Sequence, residues 1–256
     1  MILYVNGDSH AAAAEAVNPH AWAQDDGFFW GLGKQPHPDN ERASFGCELA
    51  NWLHAILYLD AQAGCSNARI MRTTRDWIEQ NNDALDDVFM VIQWTTWERE
   101  EWLHEGQDYQ VNASGIDHVP PDLEERYKQF VINVDWPECT RRAHQEIWDF
   151  HCYLKGLGIR HLMFNGNNHF GMSYRKEHNL IVPVIPEDQR HDWGKCYIGP
   201  YMSEMTYNTV LKNNSFEYKN PASYHFGADA HCFWGEYLLQ YINDNQLLST
   251  NEIPTN

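Results

Sequence analysis

The sequence predicts an α/β sandwich of three layers, a mainly parallel sheet covered on both faces by helices. Three observations carry this. Met1 to Val5 is a short apolar run closed by Asn6-Gly7 and followed by the alanine-rich stretch Ala11 to Ala16, a strand, tight turn and helix start. Val88 to Trp94 (VFMVIQW) is a near-continuous β-prone run without Gly or Pro, as expected of a strand buried on both faces. Ala143, Ile147, Phe150 and Leu154 form a helical stripe ended by Gly156 and Gly158, and Ile159 to Phe164 then reads as another strand. Strands alternating with helices require crossovers on the sheet faces, which gives the sandwich.

The remaining elements follow the same periodicities. Leu49, Trp52, Leu53 and Ile56 recur at helical spacing from Phe45, and Ile56 to Asp60 runs into a second strand before the turn at Gly64. Ile70, Thr74, Trp77 and Ile78 mark a helix, and Phe233, Tyr237 and Tyr241 share one face of the last one. No linker, repeat or low-complexity tract interrupts the 256 residues, so residues 1–256 are read as one domain. Long irregular segments at about 18–43, 98–122 and 170–224 are expected to be insertions that bind substrate or pack on the surface. The polar tail after Leu248 is expected to be disordered.

Composition excludes several classes of function. The formal charge of −18, from 36 acidic against 18 basic residues, repels a phosphate backbone, so no nucleic-acid partner is expected. The six cysteines are scattered without a CxxC pair, which argues for reduced, mostly buried thiols. No apolar run reaches membrane-spanning length and no basic, apolar leader precedes the first strand. A soluble protein folded in a cytoplasm is the expectation, with no membrane partner and an oligomeric state left open.

In a parallel sheet, ligands bind beyond the carboxyl ends of the strands, where Gly7 to His10, Trp94 to Glu98 and Asn165 to His169 all emerge. Residues 7–10, Gly-Asp-Ser-His, fit two chemistries. Asp8 and His10 have the spacing of metal ligands after a first strand, as in a metallophosphoesterase, with His169 as a further ligand. A two-metal site needs a bridging carboxylate and more histidines than this pattern supplies. Alternatively Ser9 is a nucleophile, which requires a histidine elsewhere to take its proton. Ser9 in a strand-to-helix turn also suits a plain helix cap, with Asp8 bracing the turn. Among the 14 histidines, His144 and His151 lie two helical turns apart but lack a carboxylate or thiol partner, a poor metal site. Glu98 to Glu101 reads as a solvated helix start. Trp94, Trp97 and Trp102 near the strand end are candidates for stacking on a sugar ring, or for packing.

Gly7-Asp8-Ser9 resembles the first block of the SGNH (GDSL-type) hydrolases, whose serine sits on the turn after the first strand. Tyr224 to Ile242 (YHFGADAHCFWGEYLLQYI) resembles the closing block, where a catalytic histidine precedes a final helix; His225 matches the base, Ala230-His231 a small-residue-His pair, and Trp234 to Leu238 the helix. The resemblance implies a flavodoxin-like arrangement of the sheet, no cofactor and no metal, and an ester as substrate, including an O-acyl group on a carbohydrate. It implies Ser9 as nucleophile and His225 as base. Gly64, Ser66 and Asn67 fall where the family supplies a second oxyanion donor, and Thr96 where it has an oxyanion-hole asparagine. Asp8 and His10 line the same site. The segments GCSNARI and WTTWER resemble phage-encoded members, which implies a viral source.

The family places an aspartate two or three residues before the histidine; here Ala222 and Ser223 occupy those positions. A backbone carbonyl or a carboxylate from another loop is expected to substitute, with Asp8, Asp229 and Glu217 as the candidate carboxylates. The alternative from a different class is a degenerate member of this fold serving as a binding or structural virion protein.

Overall fold

The computed structural model describes residues 1–21, 36–113, 119–175 and 181–248. The tail after Leu248 therefore lies outside the described residues, as do parts of all three long segments. β1 (Ile2–Asn6) leads into a turn-rich stretch, then α1 (Pro38–Arg42), α2 (Phe45–Trp52), β2 (Ile56–Leu59), α3 (Asn67–Gln80) and β3 (Val88–Trp94). A hairpin of β4 (Glu100–His104) and β5 (Gln107–Val111) is followed by α4 (Glu124–Ile132), α5 (Trp136–Gly156) and β6 (Arg160–Asn165). The chain closes with the hairpin of β7 (Ser173–Arg175) and β8 (Ile181–Pro183), then α6 (Tyr207–Asn213), β9 (Tyr218–Asn220), β10 (His225–Phe226) and α7 (Ala228–Asn245).

The central sheet has the order β2-β1-β3-β6, every neighbour parallel. Beyond β6 a fifth strand survives only as a parallel bridge of Met163 with Tyr197, closed by Met163 N to Cys196 O at 2.7 Å and Ile198 N to Met163 O at 2.9 Å. Alternate residues of each strand serve two cores. Leu3, Val5, Phe89, Val91, Leu162 and Phe164 face α2 and α7. Tyr4, Val88, Met90, Ile92 and Met163 face α3 and α5. This is the three-layer α/β/α sandwich, and β3, buried at all seven positions, is its central strand.

Helix positions follow the sequence at α2, α3 and α5. Gly158 at φ +71° ends α5, a left-handed backbone that favours glycine. On α7 the deepest positions are Trp234, Leu238 and Ile242, with Phe233, Tyr237 and Tyr241 only flanking them. The helix lies close against α2 because residue 235 is glycine: a Cβ there would stand 3.0 Å from Trp52 and 3.2 Å from Glu48.

Two local expectations are corrected. The stretch Ala11 to Ala16 is not a helix but a series of turns, with Ala13 at φ +49° and Glu15 at φ +61°. Alanine's helix propensity, worth only tenths of a kcal/mol per residue, is overridden by tertiary hydrogen bonds along this stretch. Residues 98–101 are not a solvated helix start either: Glu98 is buried and Glu100 begins a strand. All six cysteines are free thiols. Among the described residues no helix is long and apolar enough to cross a membrane.

Candidate active site at the carboxyl edge of the sheet

The turn after β1 is built around one side chain of the central strand. Gln93, fully buried on β3, accepts the amide protons of Asp8 and Ala11 at 3.2 and 3.1 Å, while its own amide donates to Trp94 O at 3.1 Å. Gly7 is required there, because a Cβ would meet Ala11 Cβ at 2.7 Å and Gln93 Oε1 at 2.8 Å. Ala12, Ala13 and Ala14 donate back to the carbonyls of Asp8, His10 and Ser9. Ser9 thus sits on a braced turn at the carboxyl end of the sheet, 8 % exposed.

Asp8 braces this turn and does not face outward as a ligand. Its Oδ1 accepts the His10 amide at 2.9 Å; its Oδ2 accepts Thr95 Oγ1 at 2.6 Å and Arg99 Nη1 at 3.2 Å. Burial would push this carboxyl up, but His10, Arg99 and the Thr95 hydrogen bond together hold it down at about 2. The His10 ring, lowered to about 4 by burial, faces Tyr207 at 5.1 Å, His225 at 5.7 Å and the Asn167 amide at 3.5 Å. The metal reading needs Asp8, His10 and His169 converging, whereas a cation, Arg99, already occupies Asp8. Among the described residues no group of three or more His, Cys, Asp or Glu side chains is arranged to hold a metal ion.

The turns that replace the expected helix bring Glu15 to the far side of this turn, and there it meets His225. Glu15 Oε2 lies 2.6 Å from His225 Nδ1, and Asn220 Nδ2 donates to Glu15 Oε1 at 3.0 Å. Ser223 Oγ donates to the same Oε2. Ser223 holds one of the two positions where an aspartate is missing, and it positions a carboxylate from elsewhere. Partial burial raises the Glu15 carboxyl, and the bonds from Ser223, His225 and Asn220 outweigh it, so the group is held below its ordinary range. Lys219 Nζ fastens the next residues through Ala16 O at 2.8 Å and Val17 O at 3.0 Å.

The carboxylates expected to fill this place are engaged elsewhere. Asp229 accepts the Ala230 amide at the start of α7, Glu217 pairs with Lys212, and Asp8 is bound as described. Glu15 is the residue that sequence reasoning missed. It stands in the same alanine-rich stretch as the serine, and only a helix assignment hid it.

The expected oxyanion donors are mostly committed. Ser66 caps α3, accepting Arg69 N, and its own amide and hydroxyl donate to Gln110 Oε1 at 2.8 and 3.0 Å. Asn67 holds the Thr95 backbone at both ends, Oδ1 from Thr95 N at 2.9 Å and Nδ2 to Thr95 O at 3.4 Å. Thr96 Oγ1 donates to Glu98 Oε1 at 3.1 Å. Gly64 lies at φ +80° with open space on its Cβ side. Among the described residues no hydrogen bond joins Ser9 Oγ to His225, whose Nδ1 is held by Glu15. Trp94, Trp97 and Trp102 are buried, at 0, 2 and 3 %, so they are packing residues and not a sugar platform. Trp97, for example, stacks on Phe170 at 4.8 Å.

Comparison with known proteins adds little sequence evidence: no family model matches the chain, and no curated protein matches it. A solved structure similar to it is that of an acetyl xylan esterase, Est2A, from the rumen bacterium Butyrivibrio proteoclasticus, with 12 % identity and a TM-score of 0.42. The alignment covers 96 % of this chain and 64 % of the esterase chain, so this chain spans just under two thirds of that protein's length.

Proposed function

We propose that the chain is a serine ester hydrolase in which Ser9 is the nucleophile, His225 the base and Glu15 the acid that orients it. The observation that carries this reading is the 2.6 Å contact of Glu15 Oε2 with His225 Nδ1, on the hairpin that packs against the Ser9 turn. A carboxylate on Nδ1 selects the tautomer whose Nε2 is free to accept a proton, and it stabilises the imidazolium that then forms.

In the first half-reaction Ser9 Oγ bonds to the ester carbonyl carbon, its proton passes to His225 Nε2, and the carbonyl π pair moves onto oxygen. The pair then returns, the bond to the alcohol oxygen breaks, and His225 gives its proton to that oxygen. Water repeats the sequence on the acyl-serine and releases the acid. No cofactor enters either half. In apo enzymes the serine-histidine hydrogen bond is often long and tightens only with substrate, so an open Ser9 Oγ is compatible with this chemistry. Esters are the substrate class, with O-acylated carbohydrates to be screened beside simple aryl acetates.

The test is labelling by a fluorophosphonate probe, which needs an activated serine, in the wild type and in Ser9→Ala and His225→Ala, with a chelator control. Labelling that requires both residues and ignores chelator supports the reading. A folded protein that is not labelled rejects it and favours the second reading, a fold kept for binding, for which the engagement of Thr96 with Glu98 speaks. Chelator-sensitive phosphatase activity would instead support the metal reading.

A further inference from the structure

This inference rests on the hydrolase reading and concerns the charge that develops on the carbonyl oxygen. Such an oxyanion needs donors fixed before the reaction starts, and each is worth roughly 10²–10³-fold in rate. Few groups around Ser9 are free to donate. The hydroxyls of Thr96 and Ser66 and the amide of Asn67 already have acceptors, and Cys65 N donates to Gln62 O at 3.2 Å. The main-chain N–H groups of Ser9 and Gly64 make no hydrogen bond within the described residues. Two neutral amides are a weak hole for a full oxyanion charge.

One cation stands between the two turns that carry those amides. Arg99 Nη1 donates to Asp8 Oδ2, beside Ser9, and to Cys65 O, beside Gly64, both at 3.2 Å. That bridge fixes the guanidinium plane. Its other edge is uncommitted: Nε is buried without a partner, and Nη2 makes no hydrogen bond among the described residues. A guanidinium has five N–H donors in a rigid fork, so fastening Nη1 leaves the Nε–Nη2 edge preset for an oxygen. The side chain is 18 % exposed, dry enough for the charge to count.

We propose that Arg99 is a catalytic residue that takes the place of the missing asparagine, its Nε–Nη2 edge holding the oxyanion with the Ser9 and Gly64 amides. As Ser9 Oγ bonds to the carbonyl carbon and its proton moves to His225, the π pair settles on an oxygen facing this edge. No proton leaves Arg99. Asp8 anchors the cation without cancelling it, because the Asp8 charge is shared with Thr95 Oγ1 and the His10 amide. Removing Arg99 therefore acts twice, deleting the donor and leaving a buried carboxylate beside the forming anion.

The experiment compares wild type, Arg99→Ala, Arg99→Lys and the double variant Asp8→Asn/Arg99→Ala, which removes the unpaired carboxylate in case the single variant unfolds. Fluorophosphonate labelling rates and aryl acetate kcat and KM are measured on protein shown to be folded by circular dichroism, with and without millimolar guanidinium. The expected result is a 10²–10³-fold fall in labelling rate and kcat for Arg99→Ala, little change in KM, a smaller fall for Arg99→Lys, and partial rescue of Arg99→Ala by guanidinium. A merely structural arginine would not be rescued by a dilute denaturant. Wild-type rates in the folded alanine variants, or a loss that guanidinium does not touch, overturn the assignment. A wild type that fails to label at all instead overturns the hydrolase reading on which it rests, a separate and recognisable result.

Discussion

Glu15 Oε2 stands 2.6 Å from His225 Nδ1 across 210 residues of chain, and the same carboxylate is held by Asn220 and Ser223. The acid partner of the candidate base therefore comes from the segment that follows the candidate nucleophile. In place of the aspartate the sequence lacks, Ser223 supplies a donor that steers Glu15.

Glu15→Gln is expected to lower the fluorophosphonate labelling rate by 10²–10⁴-fold, since loss of the orienting acid costs about 10⁴ in the best-studied triad. Ser223→Ala removes one of three bonds to the carboxylate, so a fall of less than about tenfold is expected, about a hydrogen bond's worth. The labelling rates of the two variants, measured on folded protein, check the order; equal losses would show that Glu15 orients the histidine only while Ser223 holds it.

Gln93→Leu is expected to weaken both stability and labelling. The substitution leaves the buried amides of Asp8 and Ala11 without their acceptor, at a cost of about 1–3 kcal/mol per unsatisfied group. Urea denaturation gives the stability change, and the labelling rate of the folded fraction tells whether the Ser9 turn has lost its geometry. Gly7→Ala should act in the same direction, because its Cβ would fall 2.7 Å from Ala11 Cβ and 2.8 Å from Gln93 Oε1.

How far such features were legible depends on whether local pattern or long-range contact decides them. Val88 to Trp94 announced itself because burial on both faces demands an unbroken apolar run, and β3 covers those residues. The position of the Ser9 turn after β1 was legible for the same reason. The conformation of Ala11 to Ala16 was not: its composition speaks for a helix, while Gln93, 82 residues beyond Ala11, and the hairpin carrying Asn220 and His225 decide for turns. Glu15 was lost with that error, although the empty acid position at Ala222-Ser223 signalled that an acceptor, a carboxylate or a backbone carbonyl, must arrive from elsewhere. Arg99 was hidden in a charge run whose other members look solvated, and nothing local shows that its partners are Asp8 and Cys65.

The protein is expected to lose stability as pH falls from 6.5 towards 4. Burial lowers His10, His144 and His151 to about 4 and His231 to about 3, against an ordinary value of 6.5. Between those limits the unfolded chain binds more protons than the native one, so acid favours unfolding. Asp8, held at about 2, adds its own loss only below its ordinary 3.8 and lies outside this window. The hydrogen bonds show why His144 must stay neutral: Tyr201 Oη accepts His191 N at 2.9 Å and Trp193 Nε1 at 3.1 Å, so its own proton points to His144 Nε2 at 2.8 Å. A proton on that nitrogen would face another donor. Urea midpoints between pH 7.5 and 4.5 should fall steadily, and His144→Gln, which can still accept from Tyr201 but cannot ionise, should flatten the fall. Midpoints independent of pH over that range would show that these histidines titrate in the native protein as they do in the unfolded chain.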